Sequence, residues 1–318
     1  MVDAEERSEP VTSFAALPEG IGAVGHRVVH GGERFRKPVL LTVEVAAAIE
    51  ELTVLAPLHN APALRAVDEA RRALPAVPHV AVFDTAFHAT IPPEASTYAV
   101  PARWREEWGI RRYGFHGLSV EWAAERVPAA RLVICHLGGG CSVSAVLDGR
   151  SVDTTMGFSP LEGVPMATRS GSVDPGALLY LLRDERLSVE ELDHVLEHES
   201  GLVGLAGTDD VRRLEDTLAL RVYVHRIAAA VAAMAASLGG LDALVFTAGV
   251  GEGSADVREA VCDRLGFLGV RLDDHANHAA QPDADIGVQG SPVRVVVVAA
   301  REDVVAARAV RRLLAENG

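Results

Sequence analysis

The sequence predicts an α/β protein of alternating strands and helices, and three observations predict it. Short apolar runs of strand length recur at 22–30, 79–87, 242–247 and 293–299. Between them lie longer stretches with apolar residues at helical spacing. One stretch, 131–155 ("RLVICHLGGGCSVSAVLDGRSVDTT"), instead reads as three consecutive strands joined by a glycine cluster and an Asp-Gly turn.

Taken in order, "GAVGHRVVH" (22–30) is the first strand. Helical patterns follow in "LTVEVAAAIEEL" (41–52) and "NAPALRAVDEARRAL" (60–74), and "HVAVFDTAF" (79–87) is the next strand. After the three glycine-linked strands come helices around 174–183, 188–196 and 209–238. A strand at 242–247, a helix at 254–265, a strand at 293–299 and a closing helix at 302–315 complete the order. The Asp/His/Ala-rich segment 273–285 reads as a surface loop. From 131 onward the order is therefore three antiparallel strands, helices, then strand, helix, strand, helix. That is the layout of an actin-like (ribonuclease-H-like) nucleotide-binding domain. The N-terminal part shows only the later elements of the same layout, without an opening three-strand unit.

Composition narrows the function. With 318 residues, 49% of them hydrophobic, the chain can bury a sizeable core as one large domain or two ordinary ones. Its net charge of −14 argues against a nucleic-acid or anionic-membrane partner, because both demand a basic face. A nucleotide could still be held locally by backbone N–H groups, a few arginines and a metal ion. Cys135, Cys141 and Cys262 have no metal-ligand spacing and read as free thiols of a reducing compartment. The start, "MVDAEERSEP", is acidic and polar, unlike a targeting peptide. The apolar stretch 228–246 is broken by Gly239, Gly240 and Asp242, so it reads as a buried helix followed by a buried strand rather than a membrane span. The expectation is a cytoplasmic protein.

Two glycine-rich stretches could carry chemistry. Gly138, Gly139 and Gly140, with Ser142 behind them, either form a plain glycine hairpin or let backbone N–H groups converge on an anion. "TAGVGEGS" (247–254) is either an ordinary strand-to-helix loop with Ser254 as N-cap, or a close approach to a nucleotide. Polar residues also recur at strand ends, where α/β sites lie: Arg27, His30 and Glu33; Asp84 and His88; His116; His136; Arg169 and Asp174; Glu302 and Asp303.

At these residues the chain resembles a known family. "GHRVVHGGE", "PLHN", "VFDTAFHATIP", "RRYGFHG", "HLGGGCS", "DTTMGFSPLEGVPMATRSGSVDPG" and "FTAGVGEGS" stand in the order of the acetate kinases, a group that includes the similar propionate kinases. The resemblance runs over roughly 22–310. It implies two duplicated ribonuclease-H-like domains of the actin-like ATPase superfamily with a cleft between them, usually in a homodimer. Mapped here, the first domain would comprise 1–88 plus 304–318 and the nucleotide-binding domain 89–303. It also implies phosphoryl transfer between ATP or ADP and acetate or another short carboxylate, with Mg²⁺ or Mn²⁺.

Residue by residue, the resemblance makes Arg27 and Arg169 the arginine pair around the transferring phosphoryl group and His116 the histidine that steadies the transition state. Asp84 and Glu302 fall in the metal and acetate region, with Glu302 as the metal ligand. His136, Gly138, Gly139 and Gly140 match a phosphate loop. Asp210, Val211 and Arg212 match the adenosine side, as do Gly249, Val250, Gly251, Glu252 and Gly253. Val29, Leu58, Phe115 and Pro160 match the small apolar pocket that takes the methyl group, beside Arg27.

The chain departs from the family in places. The family opens with a strand and an Asn-Ala-Gly-Ser-Ser-Ser phosphate loop, whereas here His26 follows only 25 residues, none of which form such a loop. An incomplete first domain with a bare sheet edge at 22–30 is therefore expected. Gly139 and Gly253 stand where the family usually has Asn, and "FHGLSV" replaces "FHGTSH". The two glycines remove side-chain donors but keep the backbone ones, which bears on nucleotide affinity, whereas the missing loop favours a rival reading, a degenerate actin-like protein that binds a nucleotide or a partner without phosphoryl transfer. The presence of Arg27, Asp84, His116, Arg169 and Glu302 together favours the kinase.

Overall fold

The computed structural model describes residues 1–11, 17, 20–55, 57–183, 186–215 and 217–317, with the side chains of 54–59 excepted. The N-terminal part builds a three-stranded sheet from β1 (Val24–Val28), β2 (Val39–Leu40) and β3 (His79–Phe83), in the order β1-β3-β2. The central strand, β3, is parallel to β1 and antiparallel to β2, and all of its residues are buried. Among the described residues β1 pairs only with β3, so it lies at the sheet edge, where the sequence places it. Helices α1 (Val43–Glu51) and α2 (Pro57–Ala73) follow β2. Thr42 caps α1 by accepting a hydrogen bond from Val45 N at 3.2 Å, one of the helix's four unpaired N–H groups.

Helices α3 (Pro93–Ser96), α4 (Ala102–Trp108) and α5 (Gly117–Arg126) lead to the second sheet. Its strands are β4 (Arg131–Leu137), β5 (Cys141–Leu147), β6 (Arg150–Thr154), β7 (Ala243–Thr247), β8 (Ala284–Asp285) and β9 (Arg294–Val297). They are ordered β6-β5-β4-β7-β9-β8. The first three are antiparallel, and β7 and β9 add in parallel beside β4. This is the ribonuclease-H-like arrangement that the order of elements predicts. The glycine cluster is the β4–β5 hairpin, closed by the Leu137–Cys141 pair.

The remaining helices are α6 (Pro175–Arg183), α7 (Val189–His198), α8 (Gly201–Ala206), α9 (Leu218–Ser237), α10 (Ala248–Gly253), α11 (Ala255–Asp263), α12 (Asp274–Ala279) and α13 (Glu302–Asn317). One core cluster packs β4, β5 and β7 against α9 and α11. A second joins the opposite face to α5 and α13 and takes in Val80 and Val82 of β3, so it spans both sheets. Helix α9 is long and apolar enough to cross a membrane, but it buries Tyr223, Val224, Ile227, Val231 and Met234 along one face, as a core helix does.

Three expectations are corrected. The helix expected over 209–238 starts only at Leu218, because Asp210 caps a short 3-10 turn at Val211–Arg213 and Thr217 caps α9 afresh. The loop expected at 273–285 contains α12, capped by Asp273, and the edge strand β8. The glycines of 248–253 form a helical turn themselves, and Ser254 caps the next helix by accepting from Val257 N.

Candidate active site

The site gathers where β1, β3, the β4–β5 hairpin and the start of α13 meet. Arg27 leaves β1 and donates from Nε and Nη2 to the two carboxylate oxygens of Asp84, at 2.9 and 2.6 Å. Asp84 follows β3 and is buried. Glu302, at the first turn of α13, places a carboxylate oxygen 3.3 Å from Arg27 Nε. Two carboxylates thus share one guanidinium and leave net negative charge. Burial pushes the Asp84 carboxyl up to about 6, against the pull of Arg27 and with a further push from Glu302. A surplus of oxygen donors around a partly shielded spot is what a hard divalent cation takes, so Asp84 and Glu302 fit such an ion.

On the other side, His116 is the residue before α5 and adopts a left-handed backbone, φ 59°, which is uncommon outside glycine. Its ring stacks on His136 with centroids 4.0 Å apart. Nδ1 of His116 lies 3.0 Å from Ser142 Oγ, and Nδ1 of His136 lies 2.8 Å from Ser119 Oγ. Burial pushes both imidazoles down, His136 to about 3 and His116 well below its ordinary value. After burial, His136, Arg27 and Arg169 lower His116 further, and Arg27 lowers His136. Both histidines are therefore neutral at pH 7.

Arg169 comes from the segment after Pro165. Its Nη1 donates to Pro160 O at 2.9 Å, and its Nε lies 3.8 Å from Glu197. A Cβ placed on Gly140 would stand 3.1 Å from Arg169 Nη2 and 3.1 Å from His116 Nε2. The absence of a side chain on Gly140 leaves both nitrogens facing the same spot. Gly138 faces Ala248 and the backbone N of Gly249, while Gly139 faces open space. The two glycine-rich stretches are thus neighbours, as an anion cradle made from backbone requires.

A family model described as the Acetokinase family matches residues 11–308. The chain belongs to the acetokinase family. It is 51% identical over 317 residues to the acetate kinase of Gloeobacter violaceus, covering 93% of this chain and 78% of that protein. The acetate kinase of Nostoc punctiforme is 50% identical over 301 residues, covering 89% of this chain and 74% of its own. Among solved structures, Porphyromonas gingivalis acetate kinase superposes with a TM-score of 0.86 at 38% identity, covering 98% of this chain and 82% of that one. A propionate kinase from Francisella tularensis gives 0.86 at 37% identity, over 90% and 78% of the two chains.

In this acetokinase the fold brings Arg27, Asp84, His116, His136, Gly138, Gly140, Arg169 and Glu302 together. Phe115 and Pro160 are buried and Val29 half-buried. His30 connects this group, with its ring edge-on to Phe115 at 5.3 Å and its Nε2 3.2 Å from Phe158 O. The side chain of Leu58 lies outside the described residues. Asp210 and Arg212 pair with each other on an exposed turn, and Val211 packs against the large core. Gly249 and Gly253 are exposed and Gly251 is buried against Phe246, with Val250 and Glu252 between. Sequence reasoning missed Ser119, whose only signal is its place three residues after His116. It also missed Asn60, which is fully buried, accepts from His30 N and donates to His30 O, both at 3.1 Å.

Proposed function

We propose that this site transfers the γ-phosphoryl group of ATP to acetate, reversibly, giving acetyl phosphate and ADP. The observation that carries the reading is the spot before Gly140, on which Arg169 Nη2 and His116 Nε2 converge. A carboxylate acceptor is already ionised at pH 7, since its pKa is about 4–5, so its attack on phosphorus needs no general base. What the site must supply is alignment and neutralisation of charge on the transferring group. Arg169 and His116 serve as fixed donors at that spot. With His116 neutral, Nε2 donates if Nδ1 accepts from the Ser142 hydroxyl. Arg27 serves the carboxylate side, and Val29, Phe115 and Pro160 supply the apolar surfaces that receive the methyl group. The backbone of Gly138–Gly140 and of Gly249–Gly253 faces the nucleotide, with His136 supporting His116 from below and Asp210–Arg212 toward the adenosine.

ATP or ADP and a divalent cation belong to this chemistry. We take the cation to be magnesium, held by Glu302 and Asp84. When bound, it neutralises phosphate oxygens of the nucleotide. One methylene in an apolar pocket is worth about 1–3 kcal/mol, so acetate and propionate are separated by competition in one assay.

A homodimer is supported by α6, "PGALLYLLR". It buries none of its residues and leaves Leu179 48% and Tyr180 52% exposed, an apolar surface that a second copy would cover. A cytosolic location is supported by Cys135, Cys141 and Cys262, all buried and unpaired.

The test is acetyl phosphate formation trapped with hydroxylamine. Arg169→Ala lowers kcat by roughly 10²–10³, the size of losing one preorganised donor. Arg169→Lys does not restore it, because an ammonium cannot hold Pro160 O and the open spot at once. A Lys variant with full kcat would overturn the role given to Arg169.

A further inference from the structure

The loop between β6 and Val164 carries Pro160, whose carbonyl fixes Arg169, and this loop is itself held by a set of side chains with no part in the chemistry described above. Arg112 Nη1 donates to three successive carbonyls, Thr154 O at 2.9 Å, Thr155 O at 2.8 Å and Met156 O at 3.1 Å. Its Nη2 donates to Glu162 Oε1 at 2.9 Å. The Tyr98 hydroxyl donates to the other oxygen of Glu162 and accepts from Phe158 N at 3.0 Å. Tyr113 N donates to Gly157 O at 3.0 Å. Gly157 has no room for a side chain, because a Cβ there would overlap Glu162 and Tyr98. Gly32 N donates to His30 Nδ1 at 2.9 Å, so His30 Nε2 carries its proton and donates to Phe158 O.

We infer that Glu162, held between Arg112 and Tyr98, is a positioning residue that acts on phosphoryl transfer through Pro160 and Arg169. The guanidinium of Arg169 is planar, so fixing Nη1 on Pro160 O also sets where Nη2 points, toward the spot before Gly140. The remaining anchor of Arg169, Glu197, is 3.8 Å away and too long to aim it alone. Burial and the Glu162 carboxylate push the Tyr98 phenol far above its ordinary value, which keeps it a donor to Glu162 at every working pH. Glu162 is 33% exposed and spends its two oxygens on Arg112 and Tyr98, so it acts without touching the reacting groups. The inference rests on the reading of Arg169 given above.

A double-mutant cycle tests it. Glu162→Gln keeps the shape of the side chain and removes the charge that Arg112 and Tyr98 share. In the wild-type background it lowers kcat roughly ten- to hundredfold, the cost of a displacement of about an ångström at a transition-state donor, and leaves the KM for ATP unchanged. In an Arg169→Ala background the same change costs less than about twofold, because the group it acts through is gone. Tyr98→Phe behaves alike and serves if Glu162→Gln does not fold, as thermal melting reports. Equal losses in both backgrounds would make the network merely structural, and no loss in either would leave the loop indifferent to it. Both results overturn the inference. Full kcat in Arg169→Ala alone would instead overturn the role of Arg169, and this inference with it.

Discussion

Alanine substitution along Gly138–Gly140 converts the site geometry into rates. None of the three glycines has a left-handed backbone, so an alanine at each is free of backbone strain and narrows the unfolded chain slightly, a gain of about 0.4–1 kcal/mol. The added methyls differ only in what they meet. On Gly139 nothing lies within 4 Å, and on Gly138 the nearest atom is Ala248 Cβ at 3.5 Å, ordinary contact. On Gly140 the methyl stands 3.1 Å from both Arg169 Nη2 and His116 Nε2, inside the 3.4 Å at which ordinary contact begins. Neither neighbour yields freely, since Arg169 is tied to Pro160 O and His116 lies between His136 and Ser142. Two donors are therefore pushed aside by some tenths of an ångström. A full ångström costs about a hundredfold, so Gly140→Ala lowers kcat roughly tenfold or more while the melting temperature holds. Gly139→Ala keeps kcat, and any rise in its KM for ATP reports phosphates lying over that open face. The assay is hydroxamate formation at saturating acetate with ATP varied. Equal kcat in the Gly139 and Gly140 variants would refute the placement of the reacting group.

Two further outcomes follow. Leu179→Glu with Tyr180→Glu places charge on the uncovered face of α6 and halves the mass seen by light scattering; a dimer that persists would remove α6 from the interface. Acid should weaken the fold through buried neutral histidines. His26, His30 and His88 lie at about 4 and His136 at about 3, each pushed down first by burial. Below an unfolded value of about 6.5 the unfolded chain binds the protons that these rings refuse. Stability is then full above pH 6.5 and falls toward pH 4, by about 1.4 kcal/mol per unit for each ring. Asp84, raised to about 6, and Glu121 and Glu197, also raised by burial, work in the opposite sense, three carboxyls against four rings. A urea midpoint unchanged between pH 7.5 and 5.5 would refute this.

The strands of the larger sheet were legible because their apolar runs are bounded by glycine and Asp-Gly turns, and β4, β5 and β7 are buried almost throughout. Less legible was the span 89–130. There α4 has no buried residue and α5 opens on a left-handed histidine that no helix-start pattern announces. Helix α12 was hidden by a polar composition that reads as loop until Asp273 is seen as its cap, accepting from Ala276 N at 2.9 Å. In the site, the charged residues at strand ends could be named from sequence, because strand ends are where an α/β fold puts them. Their supports could not. Ser119, Asn60 and Glu162 are ordinary polar residues, and only the packed chain shows that each one holds a ring, a strand end or a loop in place.

Glu252 shows how the two sides of the site are kept in register. The resemblance places it in the adenosine motif, and one of its oxygens already has two donors. Oε1 accepts from Ala248 N and from Ala300 N, both at 2.9 Å. Ala248 is left-handed, φ 66°, a conformation that costs an alanine roughly 1 kcal/mol or more and persists only where something holds it. The bond from Glu252 does so. The same oxygen reaches the segment just before α13, whose first residue is Glu302 beside Arg27. One carboxylate thereby ties the turn that faces Gly138 to the turn that sets the acidic pair around Arg27. Phosphoryl transfer is a matter of distance between a phosphate and a carboxylate, so a rigid link between the elements placing each is worth more here than another charge near the reaction. The turn at 248–253 is then fixed from within, through the bond that Glu252 accepts from Ala248 N, at the point where Ala248 and Gly249 lie beside Gly138.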